Sequence, residues 1–142
     1  MRKILVATDG SDSAGRAVDV AAKLAKALSA ELLIITVGGN LSQAEMKELE
    51  RANGRIGDTL EMFSNQILMA ARKRAERSGV KSIRLVSAWG DPTEGIIEAS
   101  TREAADALVV GRRGRSQLAG LLLGSVSQKL ASLAPCTTVI VP

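Results

Sequence analysis

Histidine and tyrosine are absent from the 142 residues, and cysteine, tryptophan and phenylalanine occur once each. Each shortage closes off a class of chemistry. Without histidine there is no Ser-His-Asp or Cys-His nucleophile pair and no imidazole-based metal site. A single cysteine, Cys136, excludes an internal disulfide and a cysteine-cluster zinc site, and suits a reducing compartment. With Phe63 and Trp89 as the whole aromatic set, the core must be aliphatic. Stacking platforms for single-stranded nucleic acid are nearly excluded for the same reason. Long apolar runs are lacking too. Met1-Arg2-Lys3 is followed by five apolar or near-apolar residues before Asp9, too few for a signal-peptide core. No stretch approaches the ~20 apolar residues of a spanning helix. The expectation is a soluble, cytoplasmic chain with no membrane and no nucleic-acid partner.

What is present is an ordinary globular balance. Hydrophobic residues make up 46% and charged residues 24%, a composition that can fill a core and argues against disorder. The length suits one domain over residues 1–142. Nineteen Lys and Arg against fifteen Asp and Glu leave a net charge of +4, which fits a phosphate-bearing ligand or simple solubility. The basic residues cluster twice. Arg72-Lys73-Arg74 with Arg77 lies in a helical pattern and reads as a solvated helix face. Arg112-Arg113 with Arg115 follows a strand inside a glycine-rich loop, which is a less ordinary place for charge.

Strand and helix periods alternate along the chain. Lys3–Thr8 is a short apolar run broken by Asp9-Gly10-Ser11. Ser11 or Asp12 can cap a helix over about 13–28, whose apolar face carries Ala14, Ala17, Val18, Ala21, Leu24, Ala25 and Leu28. Leu32–Val37 is a second strand, ended by Gly38-Gly39-Asn40. The region from about Gln43 to Arg77 is helical, polar and irregular at first because of Asn53-Gly54 and Gly57, and firm from about Asp58. Ile83–Ala88 is a third strand, and Trp89–Thr93 a turn in which Asp91 or Thr93 caps a helix running to about Ala104. Ala107–Val110 is a wholly apolar fourth strand, as one covered on both faces should be. A loop at 111–116, a helical stretch ending near Leu133, and a fifth strand at Thr138–Val141 complete the order.

Five such alternations predict an α/β fold: an open five-stranded parallel sheet with helices on both faces. Right-handed crossovers require the winding to reverse somewhere, and ligands bind at that reversal, beyond the carboxyl ends of the strands. If the first and fourth strands are neighbours, the loops Thr8–Ser11 and Gly111–Gly114 face one crevice.

No G-x-G-x-x-G occurs. Gly10–Ala17 has Walker A spacing, but Arg16 stands where the lysine belongs and Ala17 where a hydroxyl would hold Mg²⁺. By contrast Gly111-Arg-Arg-Gly114, nine residues, then Gly124-Ser125 offers two glycines three apart after a strand. There the backbone N–H groups can approach a ligand. Gly124-Ser125-Val126-Ser127 opens the next helical run with N–H groups and two hydroxyls suited to an anion. A tight turn at Gly111–Gly114 and a plain helix cap at Ser125 would equally use these residue types, as a turn or cap would use Asp9. Cys136 reads as a small buried hydrophobe and Trp89 as packing.

The pattern G-x-x-G-x9-G-[ST] in the last third of such a chain resembles the ATP-binding branch of the universal stress protein family. The resemblance spans the chain. It includes the opening KILVATDGS, Gly90-Asp91-Pro92 before a helix, Ala105–Gly111, Leu123–Ser127 and the closing Ala134–Val141. It implies a Rossmann-like fold of the adenine nucleotide α-hydrolase type, with ATP as ligand and Mg²⁺ or Mn²⁺ on its phosphates. Residues matching the family pattern would then have roles. Asp9 and the backbone of Ala7–Thr8 would lie against the nucleoside, and Val37 would contact adenine. Gly111, Arg113 and Gly114 would line ribose and phosphates, while Gly124, Ser125, Val126 and Ser127 would bind phosphates through N–H groups and hydroxyls. The resemblance further implies a homodimer through the C-terminal strand.

Two functions from different classes follow. One is a nucleotide-dependent stress or signalling module read by a protein partner in its occupied state, with slow or no hydrolysis because no histidine can serve as base. The other is an enzyme, a nucleotide α-hydrolase or adenylyl-transfer relative, faintly echoed by Thr8–Ser13. A basic nucleic-acid binder is a third reading, disfavoured by the scarcity of aromatics.

Overall fold

In the computed structural model residues 1–39, 44, 47–48, 51, 56–113 and 123–142 are described, with 56–59 as backbone only. Among the described residues nine elements alternate between strand and helix. They are β1 (Lys3–Ala7), α1 (Asp12–Leu28), β2 (Glu31–Gly38), α2 (Ile56–Glu76), β3 (Ile83–Trp89), α3 (Pro92–Arg102), β4 (Ala107–Gly111), α4 (Ser125–Leu133) and β5 (Thr137–Val141). The strands form one parallel sheet in the order β3-β2-β1-β4-β5, the α/β architecture expected from the alternation.

The apolar runs sit where a doubly covered sheet needs them. Ile4, Leu5 and Val6 of β1 and Leu32–Ile35 of β2 are fully enclosed, with Leu5 opposite both Leu33 and Leu108. Successive residues point to opposite faces, so the core divides in two. Ile4, Val6, Leu32 and Ile34 pack under α1 and α2, through Ala17, Val18, Ala21, Leu68, Ala71 and Ala75. Leu5, Leu33, Ile35, Leu108 and Val110 pack under α3 and α4, through Ile96, Ala99 and Leu130. Alanines on α1 let that helix lie close to the sheet, and aliphatic side chains fill the rest, as the near absence of aromatics requires.

The change of helix face marks the reversal of winding. The chain runs outward from β1 through β2 to β3, then returns to lay β4 on the other side of β1. Since parallel crossovers are right-handed, that return forces α3 and α4 onto the opposite face, and the strand ends of β1 and β4 splay around a crevice.

Boundaries differ from expectation at two points. Trp89 ends β3 rather than opening a turn, because its pairing with Gly38 extends the ladder and Gly90 N–H donates to Gly38 C=O at 3.0 Å. A Cβ on Gly38 would lie 2.5 Å from the Trp89 ring, so glycine there admits the indole. The second helix begins at Ile56. Most of the irregular polar segment expected before it, and the glycine loop after Arg113 up to residue 122, lie outside the described residues.

Candidate functional site

A cleft of about 440 Å³ opens at the carboxyl ends of β1, β2 and β4, within the size range of small-molecule sites. Of the residues singled out from sequence, Ala7, Thr8, Asp9, Val37, Gly111, Arg113, Gly124, Ser125, Val126 and Ser127 all line it. Gly114 lies outside the described residues.

The floor is the turn after β1. Thr8 N–H continues the ladder to Ile35 C=O at 2.9 Å, carrying the strand direction to the cleft. Asp9 then folds an Asx turn, its Oδ1 accepting from Ser11 N–H at 2.9 Å, while Thr8 Oγ1 accepts from Gly10 N–H at 3.2 Å. Gly10 sits at φ +84°, the left-handed region that such a tight return requires. Ser11 Oγ caps α1 by accepting from Ala14 N–H at 3.3 Å.

The second wall comes from β4 and α4. Gly111 presses against the first turn of α1: a Cβ there would lie 2.5 Å from Ser13 Oγ and 2.8 Å from the Ser13 carbonyl carbon. Arg113 N–H reaches Ser13 Oγ at 3.4 Å. Arg112 holds three elements by its main chain. Its N–H donates to Val141 C=O at 2.6 Å, and its C=O accepts from Gly124 N–H and from Ser127 Oγ, both at 2.7 Å. The Ser127 hydroxyl proton is thereby committed to the loop, leaving its backbone N–H toward the helix start. Arg112 is not among the cleft-lining residues, and its Nε is buried without a hydrogen-bond partner among the described residues.

The start of α4 differs from those of α1 and α3. Gly124 is its N-cap and makes no side-chain cap bond. The first bond of the helix runs from Gln128 N–H to Gly124 C=O at 3.0 Å, so the N–H groups of Ser125, Val126 and Ser127 precede the ladder. These N–H groups, the positive end of the helix dipole and the Arg113 guanidinium make this end of the cleft suited to an anion.

The opposite end is apolar. Ile35 and Val37 of β2, Leu60, Phe63 and Ile67 of α2, and Ile96 of α3 line it, with the hydroxyls of Thr36 and Ser64 set among them. Sequence reasoning missed this wall apart from Val37. The signals were there but faint: Thr36 interrupts an otherwise aliphatic run, and Ser64 shares the buried stripe of α2 with Leu68, Ala71 and Ala75.

The perturbed carboxylates lie elsewhere and hold the fold. Asp19 takes a two-pronged hydrogen bond from Arg74, both contacts at 2.7 Å, which holds its carboxyl below the usual range and ties α1 to α2. Glu103 is lowered in the same way by Arg84, and Asp106 by the backbone N–H groups of Arg2 and Lys3 at 2.7 and 3.0 Å. Burial pushes the Cys136 thiol up, so it is a poor nucleophile. Among the described residues no group of three Cys, Asp or Glu is placed to hold a metal ion, and no helix is long and apolar enough to cross a membrane.

Residues 1–142, the entire chain, match the Universal stress protein family. The chain belongs to that family. A universal stress protein of Bacillus subtilis is 34% identical to it, over 98% of this chain and 97% of the relative. A solved universal stress protein in complex with cAMP is 34% identical with a TM-score of 0.72, covering 99% of this chain and 95% of that one. At 18% identity, the Archaeoglobus fulgidus universal stress protein solved with dAMP superposes with a TM-score of 0.73 over 100% of this chain and 98% of its own, and shows the fold alone.

Proposed function

We propose that this universal stress protein binds ATP in the β1/β4 cleft and works as a nucleotide-dependent stress or signalling module, its occupied state being read by a protein partner. The observation that carries this reading is the two-ended cleft. An uncapped helix start beside Arg113 supplies N–H donors and positive charge at one end, and an aliphatic wall suited to a base lies at the other. The solved relative that holds cAMP at 34% identity supports an adenine nucleotide as the ligand class.

In this reading the base lies against Val37, the sugar over Ala7–Asp9, and the phosphates at Gly111, Arg113, Gly114 and Gly124–Ser127. The closeness of Gly111 to Ser13 fits that placement, because a side chain there would fill the narrow waist between the two loops. Mg²⁺ or Mn²⁺ would be carried mainly by the phosphate oxygens. Such an ion would supply charge neutralisation, since no carboxylate cluster among the described residues is placed to cage it.

Occupancy rather than turnover is the output. The chain has no histidine to act as base, and the Asp9 carboxylate is engaged by Ser11 N–H, so ATP hydrolysis is slow or negligible. The sheet ends on β5, where Thr138, Val139 and Ile140 are half-buried, and pairing with the same strand of a second copy would cover that edge in a homodimer.

The test is to unfold the purified protein, identify any released nucleotide by chromatography, and titrate ATP, AMP and cAMP into the emptied, refolded protein. Tight ATP binding that is abolished in Gly111→Val and weakened by about 10-fold or more in Ser125→Asp is expected. A well-folded protein that releases no nucleotide and binds none overturns the reading.

A further inference from the structure

Helices α1 and α2 both run away from the cleft and finish beside each other. The hollow between their ends is lined by Lys23, Lys26, Ala27, Arg77 and Ser78. Three of these five are cations, all three are exposed, and no carboxylate lines the hollow with them. None of the three makes a hydrogen bond or ion pair with a described residue. Lys23 and Arg77 lie close enough to Asp19 to lower its carboxyl further than its Arg74 bond does, but that carboxylate is already taken by Arg74 through two contacts of 2.7 Å.

Helix-end chemistry does not use these charges up. A cation near a helix C-terminus offsets the dipole, and Lys26 stands in the last turn of α1. The closing carbonyls, however, are bonded by the main chain. Ser29 N–H donates to Lys26 C=O at 3.3 Å and Ala30 N–H to Ala25 C=O at 2.8 Å. At the end of α2, Ser78 N–H donates to Ala75 C=O and Gly79 N–H to Glu76 C=O, both at 3.0 Å. Lys23 stands before the last turn of α1, and Arg77 follows the last residue of α2. Lys26 Nζ lies 3.1 Å from the position a Cβ on Gly79 would take, so the bare turn after α2 lets the lysine reach across the hollow.

We infer that this basic hollow is the surface on which a protein partner docks, through an acidic segment that alternates carboxylate and aliphatic side chains. The carboxylates meet three cations that nothing in the described fold neutralises. Aliphatic side chains lie against Ala27 and the lysine stems, which are apolar up to their ammonium groups. A nucleic acid suits the hollow less, since it lacks an aromatic side chain to stack a base and a longer basic track to follow a backbone. An anionic membrane calls for a larger basic cluster. Docking does not depend on what the cleft holds. That the docked partner senses occupancy does depend on it, and rests on the nucleotide reading. The same two helices supply the route: α1 starts at the cleft, α2 gives it Leu60, Phe63 and Ile67, and the Arg74–Asp19 pair ties them on the way to the hollow.

The experiment measures fluorescence anisotropy of a short labelled peptide of alternating Glu and Leu, beside its Gln-for-Glu analogue and a labelled oligothymidylate, with sedimentation of phosphatidylserine vesicles as a further arm. In low salt the wild type should bind the Glu peptide about 10-fold or more tighter than the Gln analogue, and the preference should fade as salt rises. Lys23→Glu with Arg77→Glu should weaken the Glu peptide by about 10-fold or more, and Lys23→Gln with Arg77→Gln by less. Arg102→Glu with Lys129→Glu changes the net charge equally on α3 and α4, across the sheet, and should leave affinity within about 2-fold. Saturating ATP should tighten peptide binding to the wild type by about 5-fold or more. Equal binding of the two peptides, equal weakening by the two reversal pairs, or tighter reversal-sensitive binding of the oligonucleotide or the vesicles overturns the acidic-partner assignment. Peptide affinity unchanged by bound ATP overturns the link to occupancy. A protein that binds the Glu peptide but no ATP overturns the nucleotide reading and leaves the docking surface standing.

Discussion

Helices α1 and α4 both begin at the same crevice, yet their first turns are built differently. Ser11 caps α1, its Oγ accepting from Ala14 N–H at 3.3 Å, and Asp12 lies in the first turn beside the positive dipole end. α4 begins at Gly124 with no side-chain cap and no acidic residue in its first turn. α3, away from the phosphate end, resembles α1, with Asp91 accepting from Glu94 N–H at 3.0 Å. A helix that satisfies its own N–H groups is finished as structure. One that leaves them open beside Arg113 retains donors and charge suited to an anion, and on that difference rests the proposal that this end of the cleft takes the phosphates.

That contrast can be broken most severely at the point where the two starts meet. Gly111→Val places side-chain carbon against the Ser13 backbone and should abolish measurable ATP binding. It should also cost about 1–3 kcal/mol of stability through overpacking. Calorimetry and denaturant unfolding read the two effects separately. Ser125→Asp makes α4 resemble α1. A carboxylate in the first turn of an uncapped helix should leave stability unchanged or raise it by about 0.3–1 kcal/mol. At the same site it repels phosphate, and ATP affinity should fall by about 10-fold or more. A variant that is both less stable and equally tight would erase the distinction between the helices.

The converse change strips α1. Ser11→Ala should lower stability by about 1 kcal/mol in chemical denaturation, with little effect on ATP affinity, because that cap works for the fold. The smallest effect concerns neither helix start. Asp19, Glu103 and Asp106 all have lowered carboxyl pKa values, so their stabilising contributions are fully present above the ordinary carboxylate range. They fade as pH falls from about 4 through the folded-state values. With no histidine in the chain, no side chain of that type tilts stability between about pH 5 and 8. Asp106→Asn should flatten the acid limb slightly without altering the neutral plateau, as thermal midpoints across pH would show.

Much of this was legible in the residues. Periodicity alone placed the five strands, because runs such as Leu32–Ile35 and Ala107–Val110 are apolar throughout and therefore buried on both faces. The glycines and the helix start after β4 were legible as one wall of the cleft, because Gly111 and Gly124–Ser127 follow a strand and all line it. The base end was not. Its wall comes from α2 and from side chains such as Leu60, Phe63 and Ile67, whose spacing is that of any amphipathic helix, so nothing local separates a cleft face from a core face. Trp89 was misplaced by one element because the pairing partner that extends β3, Gly38, is distant in sequence.

The measurement that tests the central claim most directly is a titration of ATP into isotope-labelled, nucleotide-free protein with backbone amide resonances followed by NMR. The N–H groups of Ser125, Val126 and Ser127 should show the largest shifts, accompanied by those of Thr8, Asp9 and Val37, while the capped starts of α1 at Ala14 and of α3 at Glu94 move little. Saturating shifts confined to other surfaces, or no shifts from a folded protein at millimolar ATP, would contradict the assignment of the α4 start as a phosphate site.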